Sequence, residues 1–146
     1  VSSRKDYKKS IFIPTNQHKY LGEKKSCVAR SAWESSFMRY LDNSDNVVRW
    51  GSESISIPYR QPNSLRKRNY FVDFIVVLKN GRRLLIEIKP HAQTKPPVNS
   101  KNKKRSTMLY EEKMYKTNQA KWSAAQQYCE SRGWEFRVIT EKNFKF

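Results

Sequence analysis

A chain of 146 residues is the size of one compact domain, able to bury roughly two thirds of its unfolded surface. Its 30 Lys+Arg against 13 Asp+Glu leave a net charge of +17, which points to a polyanionic partner, most often nucleic acid. Cys27 and Cys129 stand alone and His18 and His91 lack ligand spacing, arguing against a disulfide scaffold or a structural zinc site.

No apolar run reaches the length of a membrane span, and "VSSRKDYKKS" has no apolar segment of signal-peptide type. The expectation is a protein made and kept in a cytoplasm, or in something assembled there, with free thiols and no membrane partner. Residues 1–25 read as a basic arm, with one apolar patch at Ile11–Ile13 closed by Pro14, lying on the domain or on a partner. Residues 26–146 read as a single domain.

In "SAWE", Ser31 and Glu34 have capping-box spacing, so Ser31 is expected to start a helix. Trp33, Phe37, Tyr40 and Leu41 follow at helical spacing, and "DNSDN" should end it. "SESISIPY" alternates as a strand ending near Pro58, and "RQPNSLRKRN" reads as a polar, basic connection. Two apolar strands then meet in "YFVDFIVVLKNGRRLLIEIKP". Residues 90–106 are a loop by composition, carrying Lys101, Lys103, Lys104 and Arg105 as either solvated surface or phosphate contacts. The segment 107–133 reads as a helix, with a break near Thr117–Asn118 and Gly133 as its stop; "WEFRVIT" closes as a strand. Trp33 and Trp122 are expected in the core. The order is αβββαβ, an α/β fold with a mixed central sheet flanked by helices.

The register of the hairpin carries the chemistry. A two-residue Asn80-Gly81 loop would mix charged and apolar residues on both faces. A three-residue Lys79-Asn80-Gly81 loop, with Gly81 left-handed in a bulge, pairs Leu78 with Arg82. Val72, Phe74, Val76 and Leu78 then share an apolar face with Leu84, Ile86 and Ile88. On the other face Asp73 falls opposite Glu87, and Lys89 points the same way. Two facing carboxylates repel unless a cation lies between them, and Mg²⁺ takes one or two carboxylates plus water and phosphate oxygens. A surface salt bridge between Lys89 and Glu87 is the plainer alternative. Glu34 lies at the margin of its helix's apolar stripe, where a capping role alone would also account for it.

At these residues the sequence resembles the PD-(D/E)xK nucleases of the restriction-endonuclease-like fold: Asp73, then Glu87-Ile88-Lys89. Val72 stands where that superfamily usually has proline. Longer blocks, among them "RSAWESSFMRYLD" and "NQAKWSAAQQYCESRGWEFRVIT", resemble the head-completion nucleases of T-even-type tailed phages. The end-cleaving endonuclease subunits of some transposons are similar at greater distance. The resemblance implies that Asp73, Glu87 and the Ile88 carbonyl hold a divalent metal, with Lys89 orienting or activating the attacking water. Glu34 matches an acidic residue near the metal, and Lys121 a later-helix position serving the DNA or the site. Glu53 recurs in the resembling block as a strand-edge residue with no role assigned.

The activity so implied is a Mg²⁺-dependent endodeoxyribonuclease, with Mn²⁺ expected to substitute. It would hydrolyse double-stranded DNA in phage head completion, in the virion and in the host cytoplasm during assembly. Portal, neck or head proteins are the expected partners, and a double-strand cutter with one such site suggests a homo-oligomer. The alternative is a structural head or neck component, bound to portal and DNA, that keeps the fold without needing cleavage.

Overall fold

The computed structural model describes residues 9–146; the first eight residues of the expected arm lie outside this range. From Ser10 the expected arm lies on the domain, with Phe12 and Tyr20 packed against its core. Strand β1 (Ser10–Phe12) pairs antiparallel with β2 (Cys27–Ala29). Between them, the buried Lys19 ammonium donates to the carbonyls of Asp42 and Ser44, each at 2.8 Å. Asp42 in turn accepts from the Thr15 backbone N–H at 2.8 Å. A cation on these late helical carbonyls satisfies acceptors that helix α1 leaves open at its end.

Helix α1 spans Ala32–Asn43, and Ser31 caps it by accepting from the Glu34 N–H at 3.1 Å. The reciprocal half of the capping box is shifted by one residue, since Glu34 Oε1 accepts from the Arg30 N–H at 3.2 Å. Phe37, Met38 and Leu41 form the buried stripe.

The central sheet has the order β3 (Val47–Ser52), β6 (Phe74–Leu78), β7 (Arg83–Ile88), β8 (Glu135–Ile139). Only the β7–β8 pair is parallel. With α1 before it and helix α2 (Arg105–Glu130) crossing from β7 to β8, this is the restriction-endonuclease-like αβββαβ core. Alternation decides the two faces. Phe74, Val76, Ile86 and Ile88 pack with Phe37, Met38, Leu41 and Trp50 toward α1. Ile75 and Leu85 pack with Ala125 and Cys129 toward α2. Among the described residues no helix is long and apolar enough to cross a membrane.

Three expectations need correction. The first strand of the sheet is β3, not "SESISIPY". A bulge between Val47 and Arg49 breaks its alternation, so that Val47 and Trp50 are both buried three residues apart, and period-two reading misses it. "SESISIPY" instead feeds β4 (Ser56–Arg60), which pairs with β5 (Lys67–Phe71) in a separate two-stranded sheet. Pro58 is tolerated inside β4 because each strand of a two-stranded ribbon has a free edge.

Second, the expected strand 70–78 is two strands. At Val72-Asp73 the chain leaves the ribbon for the central sheet; the Val72 N–H donates to Ile55 O at 3.2 Å, and Asp73 O accepts from the Glu53 N–H at 3.0 Å. Val72 therefore packs with Ile57, Tyr59 and Tyr70, not with Phe74. Third, α2 runs unbroken through Thr117 and Asn118, both buried. It stops as expected: Gly133 has φ of +71° and the Trp134 N–H returns to Cys129 O at 2.9 Å.

The expected hairpin register holds. Phe74 pairs with Ile86 and Val76 with Leu84, while the Leu78 N–H donates to Arg82 O at 2.9 Å. Gly81 has φ of +87°, a conformation glycine adopts without strain.

Candidate active site

The β6–β7 pairing carries Asp73, one residue before β6, to the side of Glu87 near the end of β7. Asp73 lies in the two-residue link between the two sheets. Its Oδ2 accepts from the Ile88 N–H at 2.8 Å, so the side chain continues the ladder where the backbone has turned away. Glu87 is buried on the α2 face of the sheet. The Tyr70 hydroxyl donates to its Oε1 at 2.6 Å, and Lys89 Nζ lies 3.2 Å from its Oε2. Lys89 is itself steadied by its N–H, which donates to Ile139 O at 3.0 Å.

Burial pushes the Asp73 carboxyl well above its ordinary range, and the negative charges of Glu87 and Glu34 push the same way. The Ile88 N–H and the Lys89 charge oppose them. Glu34 is also raised, chiefly by burial, with Glu53 and Glu87 adding to it. Lys121, on α2, is lowered first by burial, while the charges of Glu87 and Asp73 favour its ammonium form. Its Nζ sits 5.9 Å from the Tyr59 ring centroid and 5.6 Å from that of Tyr70. Glu34, Asp73, Glu87, Lys89 and Lys121 thus form one electrostatic neighbourhood, drawn from α1, the β5–β6 link, β7 and α2.

The 101–105 cluster lies apart, at the N-terminal end of α2. Lys103 is paired with Glu111 Oε1 at 2.7 Å, whereas Lys101, Lys104 and Arg105 are exposed. Trp33 stacks on Phe146 at 4.6 Å and Trp122 packs beside Tyr70, both as partly buried core.

Sequence reasoning missed Tyr70 and Arg30 and gave Glu53 no role. Tyr70 reaches Glu87 only because the chain kinks at Val72-Asp73; a straight strand 70–78 would carry it past the end of β7. The Arg30 guanidinium pairs with both Glu53 carboxylate oxygens, at 2.9 and 3.3 Å. Glu53 has φ of +51°, an unusual value outside glycine. Neither the kink nor that dihedral has a signature in the residue pattern.

The donor set suits a hard divalent cation. Asp73 and Glu87 offer carboxylate oxygens from the β5–β6 link and β7, and after burial the charges of Glu87 and Glu34 weigh on Asp73 against the Ile88 N–H and the Lys89 charge. Among the described residues no three His, Cys, Asp or Glu side chains converge to hold an ion by themselves. Mg²⁺ does not require that, since it commonly takes one or two carboxylates and completes its octahedron with water and phosphate oxygens.

The profile of the TnsA-like endonuclease N-terminal family matches residues 44–141, from the approach to β3 through β8. The chain is 37% identical over 139 residues to the head completion nuclease of Enterobacteria phage T4, covering 92% of this chain and 91% of that protein. The two matches meet on the same stretch of sheet and helix that holds Asp73, Glu87 and Lys89, and on them the protein belongs to the TnsA-like endonuclease family, as a relative of the phage head completion nuclease.

Proposed function

We propose that the protein is a Mg²⁺-dependent endodeoxyribonuclease that hydrolyses phosphodiester bonds of double-stranded DNA during phage head completion. One observation carries this reading. Asp73, fixed by the Ile88 N–H, lies beside a buried Glu87 that is held on one oxygen by Tyr70 and on the other by Lys89. Asp73, Glu87 and the Ile88 carbonyl would hold the divalent ion, which when bound neutralises charge at the scissile phosphate and acidifies water. Lys89 orients the attacking water and faces the charge that develops on the phosphate oxygens. Glu34 adds a third carboxylate to the field around Asp73.

The exposed Lys101, Lys104 and Arg105, at a helix start with no acidic residue in its first turn, suit phosphate contact. Lys121 serves the DNA backbone closer to the carboxylates. The likeness to a head completion nuclease supports a role in head completion. Portal or neck proteins as partners, and the virion and host cytoplasm as locations, belong to the same proposal. Residues 26–146 act as the nuclease domain and 1–25 as a basic arm.

The test incubates purified protein with linear and supercoiled DNA in Mg²⁺, Mn²⁺ or EDTA, beside Asp73→Ala and Lys89→Ala. Metal-dependent cleavage lost in both variants is expected; equal cleavage by wild type and Asp73→Ala would sink the assignment. Complementation of an assembly-defective phage by Asp73→Ala would show instead that the fold serves the particle without cutting.

A further inference from the structure

Residues 54–72 contain Arg60, Arg66, Lys67 and Arg68 and no Asp or Glu. They build the β4–β5 ribbon, which among the described residues pairs with no other strand and is covered on one face by α2 through Ile57, Tyr59 and Tyr70. Two of the four cations brace the ribbon. The Arg60 guanidinium donates to Leu65 O at 3.1 Å, and Arg68 Nε donates to Gln61 Oε1 at 3.2 Å. The tip is closed by the Leu65 N–H on Gln61 O and the Gln61 N–H on Arg66 O, at 2.8 and 2.9 Å.

Arg66 and Lys67 remain exposed, and their side chains make no hydrogen bond or ion pair among the described residues. Among the described residues the ion pairs lie elsewhere, at Glu53, Glu87, Glu111 and Glu135. Leu65 at the tip is 68% exposed with φ of +55°, so this chain does not bury the end of its own ribbon.

The ribbon is also wired to the catalytic carboxylates. Strand β5 (Lys67–Phe71) carries Tyr70, whose hydroxyl holds Glu87, and the chain reaches Asp73 two residues after β5 ends. Lys67 and Asp73 are six residues apart along the chain. Extended backbone of that length spans at most about 22 Å. One turn of duplex DNA, about 34 Å, therefore covers both.

We propose that the β4–β5 ribbon is an arm that grips the substrate duplex, with Arg66 and Lys67 on backbone phosphates within one helical turn of the bond at Asp73 and Glu87. The partner is duplex DNA because the arm offers unpaired cations without a single acid, and because its base is joined to the site. This rests on the nuclease reading for the location of the scissile bond, whereas the grip itself is measured without cleavage.

The experiment is fluorescence anisotropy of a labelled duplex of about three turns, in EDTA, over a range of KCl concentrations. The wild-type chain is compared with Arg66→Ala/Lys67→Ala, with Arg66→Lys/Lys67→Arg, and with Arg39→Ala/Arg49→Ala as an equal loss of exposed charge on α1 and β3. The ribbon variant should bind roughly tenfold more weakly near physiological salt, with a log–log salt slope shallower by about 1.8, or about 0.9 per phosphate contact. The charge-preserving swap should restore the slope, and the Arg39/Arg49 variant should bind as wild type does. Wild-type affinity and slope in the ribbon variant, or an equal loss in the Arg39/Arg49 variant, would overturn the proposal. If wild type fails to cleave in Mg²⁺ while the arm dependence holds, the catalytic reading falls and the arm stands.

Discussion

The Tyr70 hydroxyl donates a 2.6 Å hydrogen bond to Glu87 Oε1, while Lys89 occupies the same carboxylate's other oxygen at 3.2 Å. A carboxylate gripped at both oxygens has one orientation, and reactions of this class depend on position. Tyr70→Phe removes one grip and leaves the ring in place. Stability should fall by about 1.5–3 kcal/mol, the range for a hydrogen bond to a charged group. Cleavage at saturating DNA should fall about tenfold, or about 1.4 kcal/mol of barrier. Urea denaturation and single-turnover cleavage read the two effects. A variant unchanged in both would show that the hydroxyl positions nothing.

Lys89 makes the opposite kind of contact, a charge at the mouth of the carboxylate pair. Lys89→Met keeps most of the stem and removes the ammonium. Cleavage should fall about 100-fold or more, the scale of one lost proton-handling or charge-stabilising group. The salt slope of duplex binding in EDTA should not change, because before reaction the Lys89 ammonium is paired with Glu87, and it meets the phosphate charge only as that charge develops in the transition state. A shallower slope would reassign Lys89 to DNA grip.

Asp73 gives a pH dependence whose sign can be worked out. Burial first, then the charges of Glu87 and Glu34, raise its carboxyl in the folded protein above the unfolded value of about 3.9. The folded form therefore binds the proton more tightly. Its contribution to stability is fully present below about pH 3.9 and is lost as pH rises through the raised folded value. In EDTA, wild type should lose stability relative to Asp73→Asn as pH climbs from about 4.5 toward 8. Added Mg²⁺ should recover it at the upper end, since a ligand that binds only the folded, deprotonated site stabilises it. Thermal melts of both proteins across that range provide the check; a flat difference between them would remove Asp73 from the titration.

How much of this was legible depends on where side-chain pattern and backbone path agree. The register of the β6–β7 hairpin could be read because one slip would have mixed charge into the core, and Gly81 marked the bulge. The α1 cap was legible because Ser31 and Glu34 sit at fixed spacing. Strand β3 was not, since its bulge puts buried residues three apart. Strand β5 hid in a segment that looks like a loop: it begins with exposed Lys67, Arg68 and Asn69, so no apolar alternation marks it. The apparent break in α2 came from polar Thr117 and Asn118, which tertiary packing buries. Asp73, Glu87 and Lys89 were singled out by their chemistry and the hairpin register sets them on one face, but the Tyr70–Glu87 bond depends on a turn of the chain that no residue type announces.

Glu53 tests whether the same junction stores strain. Its φ of +51° is costly for any residue with a Cβ, by about 1–3 kcal/mol. Its N–H nonetheless donates to Asp73 O, at the point where β5 hands over to β6. The side chain pairs with Arg30 at a third or more exposure, so that ion pair is worth at most about 1 kcal/mol after solvent screening. Glu53→Ala and Glu53→Gly both delete the pair, and only glycine also relieves the dihedral. The glycine variant should therefore be about 1 kcal/mol more stable than the alanine variant by urea denaturation, even though glycine loses more chain entropy on folding. Equal or reversed stabilities would show that the left-handed residue is not strained. In that case the Glu53–Asp73 backbone bond costs the fold no strain, and it places Asp73 together with the Ile88 N–H and the hairpin register.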